Sequence, residues 1–156
     1  GACLVVGLAG WLWVFGLGVA VFGLGSVATS APLLGVVAAA VGSYTLVAVS
    51  IGFLMGQIGL GQHAANAVAN IGGMALSFLG GAWVPIEWLP DSLARAARLT
   101  PGYWADRAIS GAYEATSMSA AVIGPLLVDC GICALFAVAV FSVAVAVGRA
   151  RARSAL

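Results

Sequence analysis

The chain has 156 residues, of which 63% are hydrophobic and 7% charged, with a formal net charge of +1 and a mean hydropathy of +1.13. Soluble domains carry about 25% charged residues, so this composition cannot coat a water-soluble globule and indicates an all-α integral membrane protein. The near-zero charge leaves no electrostatic footprint for nucleic acid.

A spanning helix needs about 20 apolar residues to cross roughly 30 Å of hydrocarbon. In chain order the first candidate is 2–24, which opens "GACLVVGLAG" with no Met and no basic segment before it. That start does not read as a secretory signal but as a cut inside or just before a hydrophobic segment. The turn "GSVATSAP" leads to a second span at 33–55, closed by the Gly-rich "GQIGLGQH". A third is expected at 64–84, with Gly73, Ser77 and Gly81 at the small-xxx-small spacing that lets helix backbones approach in lipid. A polar stretch fills 85–119, and a fourth span at 120–147 precedes a tail at 148–156 carrying Arg149, Arg151 and Arg153.

The stretch 80–107, "GGAWVPIEWLPDSLARAARLTPGYWADR", breaks the pattern, since no Asp, Glu, Lys or Arg precedes Glu87. Gly80 and Gly81 loosen the end of the third helix, and Pro85 and Pro90 bracket "IEWL" as breakers. Asp91 or Ser92 is a candidate cap for a short amphipathic helix to about Leu99. Thr100-Pro101 restarts the helical pattern, Thr as N-cap and Pro at the first helical position, running to about Ser110. Trp83, Trp88, Tyr103, Trp104 and Tyr113 cluster here, as amphipathic rings do at the headgroup level. The expected architecture is thus about four transmembrane helices, with two short interfacial helices between the last two.

Orientation follows from arginine placement. The 85–119 stretch holds three arginines interleaved with four acids, whereas the tail holds three beside a span and no acid. The positive-inside rule then puts the C-terminus in the cytoplasm of a multi-pass cell-membrane protein, with 85–119 outside.

The order of these features resembles the C-terminal part of the permease subunit of type-2 ABC exporters. The resemblance rests on Gly80, Gly81, Pro85, Leu89, Pro90, Pro101, Tyr103, Asp106 and Arg107, and on "GLGQHAANAVANIGGM" at the start of the third span. It implies a six-span permease half of which this chain holds the last four spans. Residues 85–119, including Glu87, would form an extracellular helical hairpin roofing the path. The implied partners are a cytoplasmic ABC ATPase subunit carrying ATP and Mg, a second permease subunit in a homo- or heterodimer, and the lipid bilayer. The implied activity is export of a drug, lipid or glycan-type substrate by alternating access. The first two spans and their coupling helix are not in this chain, and "GQIGLGQH" lacks the basic residue often found there.

Chemistry-bearing residues are few. A phosphate-binding GxxxxGK[ST] loop needs a lysine, and the chain has none, so any ATP hydrolysis belongs to another chain. No catalytic, cofactor-binding or metal residues are expected. Asp129 is the one acid in a hydrophobic run, about 20 residues before Arg149 and hence near the outer interface. It is a transport or gate candidate set against simple interfacial hydrogen bonding. Asn66 and Asn70, one turn apart, either line a polar path or bond a neighbouring helix. His63 reads as an interfacial residue without a ligand cluster, the "CGIC" run from Cys130 to Cys133 as small helix residues, and Trp11 and Trp13 as packing. The rival readings are a membrane scaffold or ion-coupled carrier with no ATPase partner, and, with one His and one membrane Asp, an intramembrane hydrolase.

Overall fold

A computed structural model of the chain describes residue 16 and residues 31–115 and 119–154, and every regular element among them is helical. The order is α1 (Ala31–Ile58), α2 (Gln62–Leu79), a 3-10 turn (Ile86–Trp88), α3 (Asp91–Ala97), α4 (Pro101–Glu114) and α5 (Ala120–Ser154). The span expected at 2–24, with Trp11 and Trp13, lies outside the described residues apart from residue 16.

Two helices, α1 and α5, are long and apolar enough to cross a membrane. At 28 and 35 residues they measure about 42 and 52 Å, against roughly 30 Å of hydrocarbon. Each extends past the span read from sequence. α5 runs on through Arg149, Arg151 and Arg153 to Ser154, because nothing in "GRARARS" terminates a helix and arginine is a good helix former.

The span expected at 64–84 forms a shorter helix. α2 has 18 residues, about 27 Å, and its first half carries Gln62, His63, Asn66 and Asn70. It does not reach the apolarity of α1 and α5. It ends at Leu79 because the next two residues are glycines, and Gly81 takes φ +92°, a left-handed conformation that side chains disfavour.

α1 and α5 pack along one stripe each. The buried residues Leu33, Val36, Val37, Ala40, Ser43, Val47 and Ser50 follow steps of three and four on α1. Leu126, Asp129, Cys130, Cys133, Ala137 and Ala144 do so on α5. Most are small, which lets the backbones approach closely. The register is fixed at both ends: the Cys130 thiol donates to the Val36 carbonyl at 3.7 Å, and Arg151 Nη1 donates to the Gln57 carbonyl at 2.7 Å. Both pairs are 94 residues apart in sequence. The two helices are therefore parallel and unstaggered from Val36 to Gln57, about 32 Å of helix. Phe53 and Phe141 stack between them at 5.4 Å.

α4 lies lengthwise on this pair, antiparallel to both. Its buried face is Pro101, Gly102, Ala105, Ala108 and Ala112. Ala108 and Ala112 join the cluster of Leu33, Val36, Leu126 and Cys130, while Ala105 joins Val47, Cys133 and Ala137. α4 thus starts level with the middle of α1 and ends near the first turns of α1 and α5. At its start Gly102 meets the end of α2 backbone to backbone: a Cβ on either Gly80 or Gly102 would lie 3.1 Å from the other's Cα.

Candidate functional site

The charged residues of the hairpin are positioned by α4, whose start is defined locally. Thr100 takes an extended conformation (φ −106°, ψ 145°) and its hydroxyl accepts from the Tyr103 amide, with Pro101 in the first helical position. The cap read from the Thr-Pro pair is present, and the helix runs beyond Ser110 to Glu114. α3 differs from its reading. Pro90 is its N-cap and Asp91 its first residue, with no side-chain cap bond, so Asp91 favours the helix through its charge near the N-terminus.

From α4, Arg107 reaches Asp129 on α5. Nε donates to Oδ2 at 2.8 Å and Nη2 to Oδ1 at 2.6 Å, the two-pronged geometry a planar guanidinium offers a carboxylate. The two ends of the pair differ in environment. Asp129 is 1% exposed, whereas the Arg107 side chain is 50% exposed. The guanidinium also lies over the Trp104 ring, 4.9 Å from its centre, and 6.0 Å from that of Tyr103. The two rings meet edge-on at 5.1 Å, and Trp104 Nε1 donates to the Arg98 carbonyl at 2.9 Å. The hydrogen bond to Asp129 raises the Arg107 pKa above the ordinary arginine value, against the opposing effect of burial and with further help from Tyr103. Arg107 is thus a fixed positive charge at any working pH.

The remaining hairpin residues frame this pair. Pro85 precedes the 3-10 turn, Glu87 lies within it, and Pro90 separates it from α3. Asp106 sits under Gly81, where a Cβ would come 3.0 Å from Asp106 Oδ2. A cleft of about 640 Å³ opens over this region, lined by Ile86, Leu89, Asp91, Arg98, Asp106 and Glu114 among others. An apolar cleft of about 350 Å³ separates α1 from α2, between Tyr44, Val47 and Ile51 on one side and Val68, Gly72 and Leu76 on the other.

Asp129 and the other transport candidates, Asn66 and Asn70, lie on different helices. Asn66 and Asn70 are exposed on α2, as is His63 in its first turn. Asp129 itself is neither solvated nor isolated; it is buried and ion-paired. No buried side-chain nitrogen or oxygen among the described residues lacks a partner.

No family model, curated protein or solved structure matches this chain. The site is an ion pair in which both carboxylate oxygens are bonded, set beside two aromatic rings. What it can do is clamp one helix to another at a chosen level.

Three features escaped sequence reasoning. The Arg107–Asp129 pair joins residues read separately, one in the hairpin and one as a lone membrane acid. The Ala105, Ala108, Ala112 face of α4 has the three–four spacing of a packing seam, a signal present in the sequence. Trp104, read with the other aromatics as a headgroup-level ring, also covers Arg107, a contact the sequence does not signal.

Proposed function

We propose that the chain is the C-terminal portion of a permease subunit of a type-2 ABC exporter, its helices forming part of a substrate path that a separate ATPase drives by alternating access. The observation that carries this reading is the parallel, unstaggered pairing of α1 and α5. Two parallel spans require the chain between them to return across the bilayer. α2 and then α4 together supply that return: the tight crossing at Gly80 and Gly102, about level with the middle of α1, hands the chain on to α4, which runs to the far end. A multi-pass protein results, with α3 and α4 as an outer hairpin folded against the outer halves of α1 and α5. The Arg107–Asp129 clamp ties that hairpin to the last span, so movement of α5 would carry the roof with it. With 2–24 as a further span, the chain holds four of six.

Orientation is tested by single cysteines at Ser92 and Ser154, in a background with the three native cysteines replaced. A membrane-impermeant maleimide added to intact cells should label the first and not the second. Labelling of both from one side overturns the topology. Affinity purification of the full-length protein from its native membrane should recover an ABC ATPase, with substrate-dependent ATP hydrolysis after reconstitution. Recovery of no ATPase from membranes that retain the protein intact overturns the exporter reading in favour of a scaffold or carrier.

A further inference from the structure

We propose that the C-terminal end of α5 binds the phosphodiester headgroup of an anionic lipid between Arg149 and Arg153, with an acyl chain lying along the exposed face of α5 above them. The inference rests on α5 spanning a membrane and not on the exporter reading.

The three tail arginines are not equivalent. Because α5 is continuous to Ser154, their register is fixed. Arg151 is directed at α1, where it donates to the Gln57 carbonyl and helps satisfy the end of that helix. At about 100° per residue, Arg149 and Arg153 share a face one turn apart and point nearly opposite Arg151, away from α1. Both are exposed. All five acids of the chain lie between Glu87 and Asp129, and Asp129 is about 30 Å along the helix from Arg149. That is several Debye lengths at physiological salt, so the Asp129 side chain does not neutralise this end of α5.

The same face continues as an apolar stripe. Counting back at 100° per residue places Leu135, Val138 and Ser142 in line with Arg149 and Arg153. Leu135 is 67% and Val138 62% exposed, and Ser142 turns its hydroxyl onto the Val138 carbonyl at 2.7 Å, which removes its polarity from the stripe. From Leu135 to Arg149 the stripe is about 21 Å long, enough for the acyl region of one leaflet, about 15 Å. An apolar strip of leaflet depth ending in two unpaired guanidinium groups matches a lipid whose headgroup is negative. Guanidinium forks suit phosphate oxygens in pairs.

The full chain, purified in mild detergent and titrated with phosphatidylglycerol or phosphatidylcholine, tests this by native mass spectrometry. Retained phosphatidylglycerol should exceed retained phosphatidylcholine. The double substitution R149A/R153A should weaken phosphatidylglycerol retention about twenty-five-fold, each arginine near an anionic surface contributing about fivefold. R151A should keep the lipid while loosening α1 from α5. Equal retention of the two lipids by the unaltered chain overturns the proposal, and so does undiminished phosphatidylglycerol binding by R149A/R153A. Complete displacement by millimolar inorganic phosphate would assign the pair to a free anion and overturn the lipid.

Discussion

Substituting the two partners of the Arg107–Asp129 pair should have unequal consequences, because their environments are unequal. Arg107→Ala leaves a carboxylate that is 1% exposed without its counter-charge. Breaking a fully buried pair this way costs about 3–5 kcal/mol. The half-exposed guanidinium has already lost part of its attraction to solvent screening, which brings the expected loss to about 2–3 kcal/mol. Asp129→Asn keeps the shape and leaves an arginine that can turn to water, for about 1 kcal/mol. The double variant carries no unpaired buried charge and should lose about 1–2 kcal/mol, less than the two single losses together, for a coupling of about 2 kcal/mol. The measurement is reversible unfolding of the full chain in mixed micelles by increasing SDS, followed by helical circular dichroism. The pH dependence has a defined sign. A cation whose folded pKa is raised contributes its stability fully below its ordinary value and loses it only above the raised one. Arg107 therefore keeps its contribution at every pH below its ordinary value, and raising the pH within that range should not weaken the coupling. Equal single losses that simply add would refute the clamp and reduce Asp129 to an isolated packing residue.

Other outcomes follow from the packing. Gly102→Ala brings a Cβ within 3.1 Å of the Gly80 Cα and should destabilise by about 1–3 kcal/mol. Gly131→Ala, with nothing within 4 Å, should be neutral or stabilising by the same unfolding assay. Thr100→Val removes the hydroxyl that accepts from the Tyr103 amide and should cost about 1 kcal/mol; a threonine-to-serine control should restore most of it. Paired cysteines at Gln57 and Gly148, where the Gln57 side chain lies against the Gly148 backbone, should cross-link within one chain. A Leu33–Arg151 cysteine pair should not, and the reverse pattern would refute the parallel arrangement.

Much of the fold was legible because hydrocarbon and backbone hydrogen bonding leave few choices. Apolar runs of about 20 residues read as helices, and α1 and α5 appear where 33–55 and 120–147 placed them, lengthened at their ends. Thr100-Pro101 was legible for the same reason, since capping is a local matter of one side chain and three residues. The end of α2 was misjudged by five residues because apolarity continues through Ala82, Trp83 and Val84 while the helix stops at the glycines. Backbone conformation decided there, and hydropathy does not report it.

The site was hidden for a different reason. Arg107 and Asp129 are 22 residues apart, and nothing local relates them; the relation is set by the depth to which α4 descends. That depth follows from three alanines. Ala105, Ala108 and Ala112 are each 6% exposed or less, and with nothing larger than a methyl group they let α4 lie in the groove between α1 and α5. Once it does, Arg107, on the flank of that face, comes level with Asp129, the one acid of α5. The carboxylate can be buried only because the guanidinium arrives there, and the guanidinium arrives because the neighbouring side chains are small. A single larger residue at Ala108 should therefore lift α4 and separate the pair as surely as removing either charge. Ala108→Leu is accordingly expected to abolish the Arg107–Asp129 coupling in the same double-substitution cycle, with both charges intact. Persistence of about 2 kcal/mol of coupling in that background would show that the ion pair positions α4, and not the alanine face.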